Sequence, residues 1–107
     1  MLSETAYSFL AEYAARKAAK MSVSTRRIEI LLGSELARIA LDIGDRVAQS
    51  LIDEQKGLPR CGLCGMGPFT YKGLYLHLIR KHFEEIRDYI EEEIEYTLRT
   101  YKNVAAP

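Results

Sequence analysis

The sequence predicts a mainly α-helical protein: two N-terminal helices, the second long and central, then a short turn-rich segment and a long C-terminal helix. Three stretches repeat apolar residues at helical spacing, and one stretch rich in Gly and Pro interrupts them near residues 57–68. The chain has 107 residues, of which 48% are hydrophobic. This length and composition are typical of one compact globular unit.

The first helix is predicted over residues 3–20. Ser3 is a suitable N-cap, and the last turn is basic, as the negative end of a helix dipole favours. Apolar or small residues follow the cap at helical spacing, namely Tyr7, Leu10, Ala14 and Ala18.

The second helix is predicted to start after Ser22 or Ser24 and to run to about Glu54. Large apolar residues form one stripe along it: Ile28, Leu32, Leu36, Ile39, Ile43, Val47 and Leu51. Small residues form a parallel stripe: Gly33, Ala37, Ala40, Gly44 and Ala48. Because small residues allow close approach of a second helix, we expect this helix to be buried on two sides.

The last helix is predicted to start near Lys72, after residues 57–60 have ended the second helix, and to reach about Lys102. A helix of that length spans about 45 Å, whereas a compact domain of this size has a radius of gyration near 13 Å. We therefore expect it to protrude and to expose a stripe containing Ile86, Ile90 and Ile94, which would make the chain a homodimer.

Two cysteines and two histidines follow one another as C-x2-C-x12-H-x4-H, at Cys61, Cys64, His77 and His82. This pattern resembles the C2H2 zinc finger family over residues 59–83. Two thiolates and two imidazoles give Zn²⁺ a closed tetrahedral shell, so the resemblance implies one structural zinc per chain and no catalysis. Pro68 departs from the family, which has an apolar residue there, so the finger's hairpin is expected to shorten to a knuckle.

The two histidines are five residues apart, so on an ideal helix they point about 140° apart. We therefore predict a local 3₁₀ turn or bulge at residues 78–81. In the family, bases are read from helix positions that correspond to Thr70, Gly73 and Leu76. None of these is the Arg, Asn or Gln that makes a bidentate base contact, which favours a folding clamp over a base reader.

A basic cluster without acids lies at residues 13–28, and Ser22, Ser24 and Thr25 lie within it. We expect a small DNA-binding protein, either a transcription regulator or chromatin-associated. The candidate nucleic-acid-binding residues are Arg16, Lys17, Lys20, Arg26, Arg27, Lys72, Arg80 and Lys81. Residues 3–57 also resemble, more weakly, the histone-type fold. The alternatives are a solvated basic surface and a zinc-stabilised protein-interaction adaptor that ignores DNA.

The expected organisation is a helical, dimerising region 1–57, a finger 58–83, and an acidic helix extension 84–107 that packs on the core or on a partner subunit. The formal net charge is zero, so nucleic-acid binding must rest on local patches. We expect an intracellular protein without a membrane segment, signal peptide or small-molecule substrate. Few Asn and Gln and many charges suggest a thermophilic source.

Overall fold

The computed structural model describes the backbone of residues 2–105 and the side chains of residues 2–100. It is mainly helical, with one small antiparallel hairpin between the third and fourth helices. In chain order the elements are α1 (Glu4–Ala18), α2 (Arg26–Leu32), α3 (Ser34–Ser50), β1 (Ile52–Gln55), β2 (Leu58–Cys61) and α4 (Tyr71–Ala105).

Helix α1 forms where the sequence predicts it. The Ser3 hydroxyl accepts a hydrogen bond from the backbone N–H of Ala6 at 3.1 Å, which confirms the predicted N-cap. At the other end, Met21 N–H donates to the Arg16 carbonyl and Lys20 N–H to the Lys17 carbonyl. Lys20 has φ of 57°, so the helix ends in a left-handed residue that satisfies its last carbonyls.

The prediction of one long second helix is wrong, because the helix is interrupted at Gly33. Gly33 has φ of 80° and ψ of 162°, a region that is essentially restricted to glycine. Its N–H closes α2 on the Glu29 carbonyl, and its own carbonyl starts α3 by accepting from Ala37. The histone-type resemblance depends on a long central helix, and α2 and α3 are two shorter ones.

The small-residue stripe of α3 packs as predicted. Ala37, Ala40, Gly44 and Ala48 are buried. A Cβ at Gly44 would lie 3.0 Å from Cδ1 of Tyr13, so the missing side chain is what lets α1 approach. The Tyr13 hydroxyl then donates to the Asp45 carboxylate at 2.6 Å, which fixes the pair of helices.

Residues 51–54 are not the helix end that we predicted. Helix α3 ends at Ser50, and Ile52–Gln55 pairs with Leu58–Cys61 in a hairpin. Lys56 and Gly57, with φ of 57° and 76°, form its two-residue turn. Two positive φ values in such a turn match the twist of paired strands.

Helix α4 is continuous, and its apolar stripe is buried within the chain. Ile86, Ile90 and Ile94 are at most 1% exposed, and α4 packs mainly against α1. The expectation that this stripe would be exposed is therefore wrong. The sequence pattern identified the apolar face of α4 correctly, but the neighbouring helix covers it.

One hydrophobic cluster joins residues from α1, α2, α3, β2 and α4. The three predicted regions therefore share a core, and the segment after residue 84 packs on that core. In the part of the chain that the structure describes, no helix is long and apolar enough to cross a membrane.

Candidate metal centre

The two cysteines are presented by β2 and by the turn that follows it. Cys61 ends the strand and is buried, whereas Cys64 lies on the exposed side of the turn. The N–H of Gly62 donates to the Leu51 carbonyl at 2.9 Å. A Cβ on Gly62 would collide with the Ser50 carbonyl oxygen, so only glycine lets this turn rest on the end of α3.

The two histidines lie in the first three turns of α4. The Thr70 hydroxyl accepts from Gly73 N–H at 2.9 Å, and the Thr70 carbonyl accepts from Leu74 N–H at 2.8 Å, which starts the helix. The helix stays α-helical through residues 78–81, so the predicted distortion is wrong. The ring centroids of His77 and His82 are 5.0 Å apart, because the long imidazole side chains bring their tips together without a change in the backbone.

The structure brings all four predicted ligands together. One donor atom from each of Cys61, Cys64, His77 and His82 lies within 4.8 Å of the others, and Cys64 Sγ is 3.3 Å from His77 Nε2. A zinc tetrahedron with bonds of about 2.0–2.3 Å has edges of roughly 3.3–3.8 Å. The four side chains therefore lie close enough to hold one metal ion.

Backbone amides lie around the sulfur atoms. The N–H of Leu63 lies 3.4 Å from Cys61 Sγ, and the N–H of Met66 lowers the pKa of Cys64. Burial raises the pKa of Cys61. Cys64 is thus the more easily ionised thiol, whereas a nearby cation is needed to stabilise Cys61 as a thiolate.

Glu85 is part of the site, and our sequence reasoning missed it. His82 Nδ1 lies 2.8 Å from Glu85 Oε1, while His82 Nε2 is buried without a hydrogen-bond partner among the described residues. Burial opposes protonation of His82, but the Glu85 carboxylate and neighbouring Cys64 outweigh it and raise the pKa. A carboxylate at Nδ1 directs the lone pair of Nε2 toward a metal. The sequence feature that could have identified Glu85 is its position three residues after the ligand His82 on the same helix.

Three of the eight candidate nucleic-acid-binding residues are paired with carboxylates. Arg16 Nε lies 3.0 Å from Glu12, Lys17 Nζ lies 3.5 Å from Asp45, and Lys20 Nζ lies 3.2 Å from Glu54. These pairs reduce the positive potential at the end of α1. This part of the basic cluster should therefore attract a polyanion less strongly than its sequence suggests.

The other five candidates have no carboxylate partner among the described residues. Arg26 and Arg27 start α2, and Arg27 stacks over Phe9 with 5.5 Å between the guanidinium and the ring centroid. Lys72, Arg80 and Lys81 are exposed on the first three turns of α4. The structure therefore separates the candidates into a group at α2 and a group beside the metal centre.

Residues 56–83, which we call the knuckle module, carry five Lys or Arg side chains and no Asp or Glu. Two of them, Lys56 at the hairpin turn and Arg60 on β2, are not among the eight candidates, although the histone-type resemblance implies a DNA-facing loop at residues 56–57. Arg60 Nη1 donates to the Gly67 carbonyl at 2.9 Å, which holds it against the turn. The absence of acids over this stretch was the signal that could have found both residues.

Comparisons of the chain with family models, with curated proteins and with solved structures return no match. The resemblance to C2H2 zinc fingers therefore rests on the four ligands, their spacing and their proximity in the fold.

Proposed function

We propose that the metal is Zn²⁺ and that its role is structural. Two thiolates and two imidazoles are the ligand set of structural zinc, and four protein ligands leave no position for a reacting water. The bound ion would join β2 to the start of α4, whose buried face from Leu74 to Ile94 belongs to the hydrophobic core. Zinc would thereby fix the orientation of the knuckle module on the helices.

We further propose that the chain binds DNA, mainly through the knuckle module rather than through the end of α1. The observation that carries this proposal is the acid-free stretch of chain, with five cations and no Asp or Glu over residues 56–83; the nearest acids of the hairpin are Asp53, opposite Arg60, and Glu54, which accepts from the Tyr71 hydroxyl. A zinc ion with two thiolates adds no net charge, so the module keeps its positive charge when loaded. Phosphate contacts by Lys and Arg supply most of the affinity of sequence-independent DNA binding.

The charge arrangement on α4 supports the same proposal. The first turn of α4 contains no acidic residue and contains Lys72, although a helix N-terminus favours negative charge. The seven acids of this helix lie at residues 84–95, beyond the ligands. The helix therefore has positive side chains at its positive end, an arrangement that reduces helix stability and favours contact with an anion.

Base-specific contacts are not part of this proposal. The Thr70 hydroxyl caps α4, and Gly73 and Leu76 offer no donor or acceptor to a base edge. We therefore propose contacts with the phosphate backbone, which carry no sequence information directly.

The test is a mobility shift of the zinc-loaded chain with a generic duplex at two salt concentrations. Affinity should fall steeply with salt, with a log–log slope of about −0.9 for each phosphate neutralised. The double variant Arg80→Ala with Lys81→Ala should make the slope less steep by the amount that about two phosphate contacts contribute. The matched control removes two exposed arginines from α3, Arg38 and Arg46, and should change little. Equal effects of both double variants would refute binding through the module.

A protein-interaction adaptor is the second candidate, and a specific surface favours it. Tyr89 and Tyr96 are 44% and 62% exposed and lie seven residues apart, on one face of the acidic part of α4. Exposed tyrosines are common in protein interfaces. An adaptor would show no DNA shift at either salt concentration, and Tyr89→Ala with Tyr96→Ala would abolish capture of its protein partner.

A homodimer remains part of the proposal, although the stripe on α4 cannot form it. Ile30 and Leu31 of α2 are 73% and 45% exposed, and Ile30 lines the groove between α2 and α3. We propose that this exposed apolar surface is the contact between two copies.

A further inference from the structure

A cleft of about 570 Å³ lies between α1 and the segment that leads into α2. Its lining includes Phe9, Glu12, Arg16, Ser22, Ser24 and Arg27. None of them is a ligand of the candidate metal centre. We propose that this cleft binds a phosphomonoester, with the phosphate held by the two arginines and the organic part of the molecule on the apolar wall.

The two guanidinium groups are held in place while most of their donors stay free. Arg16 lies over the ring of Tyr75, 5.1 Å from its centroid, and its Nε donates to Glu12 at 3.0 Å. Arg27 lies over Phe9. Among the described residues, the guanidinium group of Arg27 has no hydrogen-bond acceptor, and that of Arg16 has only Glu12 and the Tyr75 hydroxyl. A planar fork of free N–H groups is suited to bidentate contact with phosphate oxygens.

The loop at the mouth of the cleft adds neutral donors. The Ser24 hydroxyl accepts from Arg26 N–H at 3.4 Å, which leaves its own hydrogen free to donate. The Ser22 hydroxyl and the backbone N–H groups of residues 22–24 donate to no acceptor in the described part of the chain. Hydroxyl and backbone N–H groups are common phosphate ligands beside arginine.

The charge and the volume of the cleft indicate the class of ligand that it would bind. The cleft has two guanidinium groups and one carboxylate, Glu12, which already accepts from Arg16 and from the Tyr75 hydroxyl at 3.2 Å. The remaining positive charge favours an anion. The volume lies within the range of small-molecule pockets, about 300–1,000 Å³, and inorganic phosphate would fill only a small part. Phe9 and Val23 line the cleft and are only partly buried, so they provide apolar surface for the rest of an ester.

The test is a calorimetric titration of the zinc-loaded full chain with a nucleoside 5′-monophosphate, the unphosphorylated nucleoside and inorganic phosphate. We expect saturable binding of the monophosphate and binding of the nucleoside weaker by at least about tenfold, since hydrogen bonds to a charged group are lost. Arg27→Ala should weaken binding of the monophosphate by about tenfold or more. Arg26→Ala is the matched control, because Arg26 is the neighbouring arginine on the same helix and does not line the cleft; it should bind within about twofold of the unmodified chain.

Equal binding of nucleoside and monophosphate, equal effects of the two arginine variants, or no saturation up to about 10 mM would overturn the proposal. A 5′-phosphorylated oligonucleotide and its unphosphorylated counterpart distinguish the source of the phosphate. Displacement of the monophosphate by the phosphorylated strand alone would identify a strand terminus, and displacement by neither would identify a free phosphomonoester. Both results support the site, and neither depends on duplex binding by the knuckle module.

Discussion

Glu85 offers the sharpest test of the metal centre, because it touches a ligand without being one. Its carboxylate lies 2.8 Å from His82 Nδ1, so it holds the tautomer in which Nε2 carries the lone pair. Replacing Glu85 with Ala leaves all four ligands in place. We expect zinc still to bind, but to a histidine whose ring is less basic and free to rotate.

The size of the effect follows from the exposure of this pair. Loss of a group that orients a metal-bound histidine costs about 10–100-fold in affinity, or about 1.4–2.8 kcal/mol. The Glu85 side chain is 59% exposed, and water screens its interaction with the ring. We therefore expect Glu85→Ala to weaken zinc binding by about tenfold, at the lower end of that range.

The assay is competition for zinc with a chromophoric chelator of known affinity at neutral pH. Glu85→Gln keeps an oxygen acceptor at the same place and should recover part of the loss. Glu84→Ala removes the adjacent exposed carboxylate, which has no contact with His82, and controls for the general loss of negative charge. If Glu85→Ala and Glu84→Ala bind zinc equally well, the carboxylate does not support the site and this reasoning is refuted.

Four further predictions concern the whole chain. Removal of zinc by a chelator should unfold residues 59–83, because zinc binding supplies about 10–16 kcal/mol in finger peptides; native mass spectrometry of the purified protein should find one zinc, and its absence would contradict the assignment. Gly33→Ala should lower the free energy of unfolding by about 1–3 kcal/mol, since its backbone region is closed to other residues, whereas Gln49→Ala in α3 should change little in denaturant titrations. Burial and the hydrogen bond to Asp45 raise the pKa of Tyr13, so the contribution of Tyr13 to stability should be constant below about pH 10 and fall above it, as the unfolded chain loses the proton first. Tyr13→Phe should reduce the slope of stability against pH above that value by up to about 1.4 kcal/mol per pH unit. Analytical ultracentrifugation at micromolar concentration should find a dimer, and a monomer would exclude that part of the proposal.

The sequence was sufficient for features set by local chemistry. The Ser3 cap, the span of α1 and the four ligands could be read directly, because a cap needs a side-chain acceptor and a zinc shell needs a particular ligand spacing. The knuckle module was located for the same reason, although two of its five cations, Lys56 and Arg60, were not among the candidate residues.

Other features depend on tertiary contacts that periodicity does not report. The apolar stripe continues through Gly33 without a change of step, and a glycine inside a helix costs only about 1 kcal/mol, so the break left no clear signal. The stripe on α4 identified an apolar face but not the helix that covers it. The pairing of Lys20 with Glu54 joins residues 34 apart and depends on the unforeseen hairpin.

The charge distribution along α4 gives the molecule an electric dipole that its net charge conceals. On α4, Lys72, Arg80 and Lys81 precede seven acids at residues 84–95, among which Arg87 is a cation, so opposite charges are displaced along one helix. With about three elementary charges separated by roughly 15–20 Å along the helix, the moment is of the order of 200–300 debye. The electric field of a polyanion would orient such a molecule before the two make contact. The cysteine turn would face the polyanion, and the tyrosine-bearing end would face away from it. The field, rather than repeated collisions, would then set the orientation of the molecule during its approach. Added salt would lower the association rate as well as the affinity.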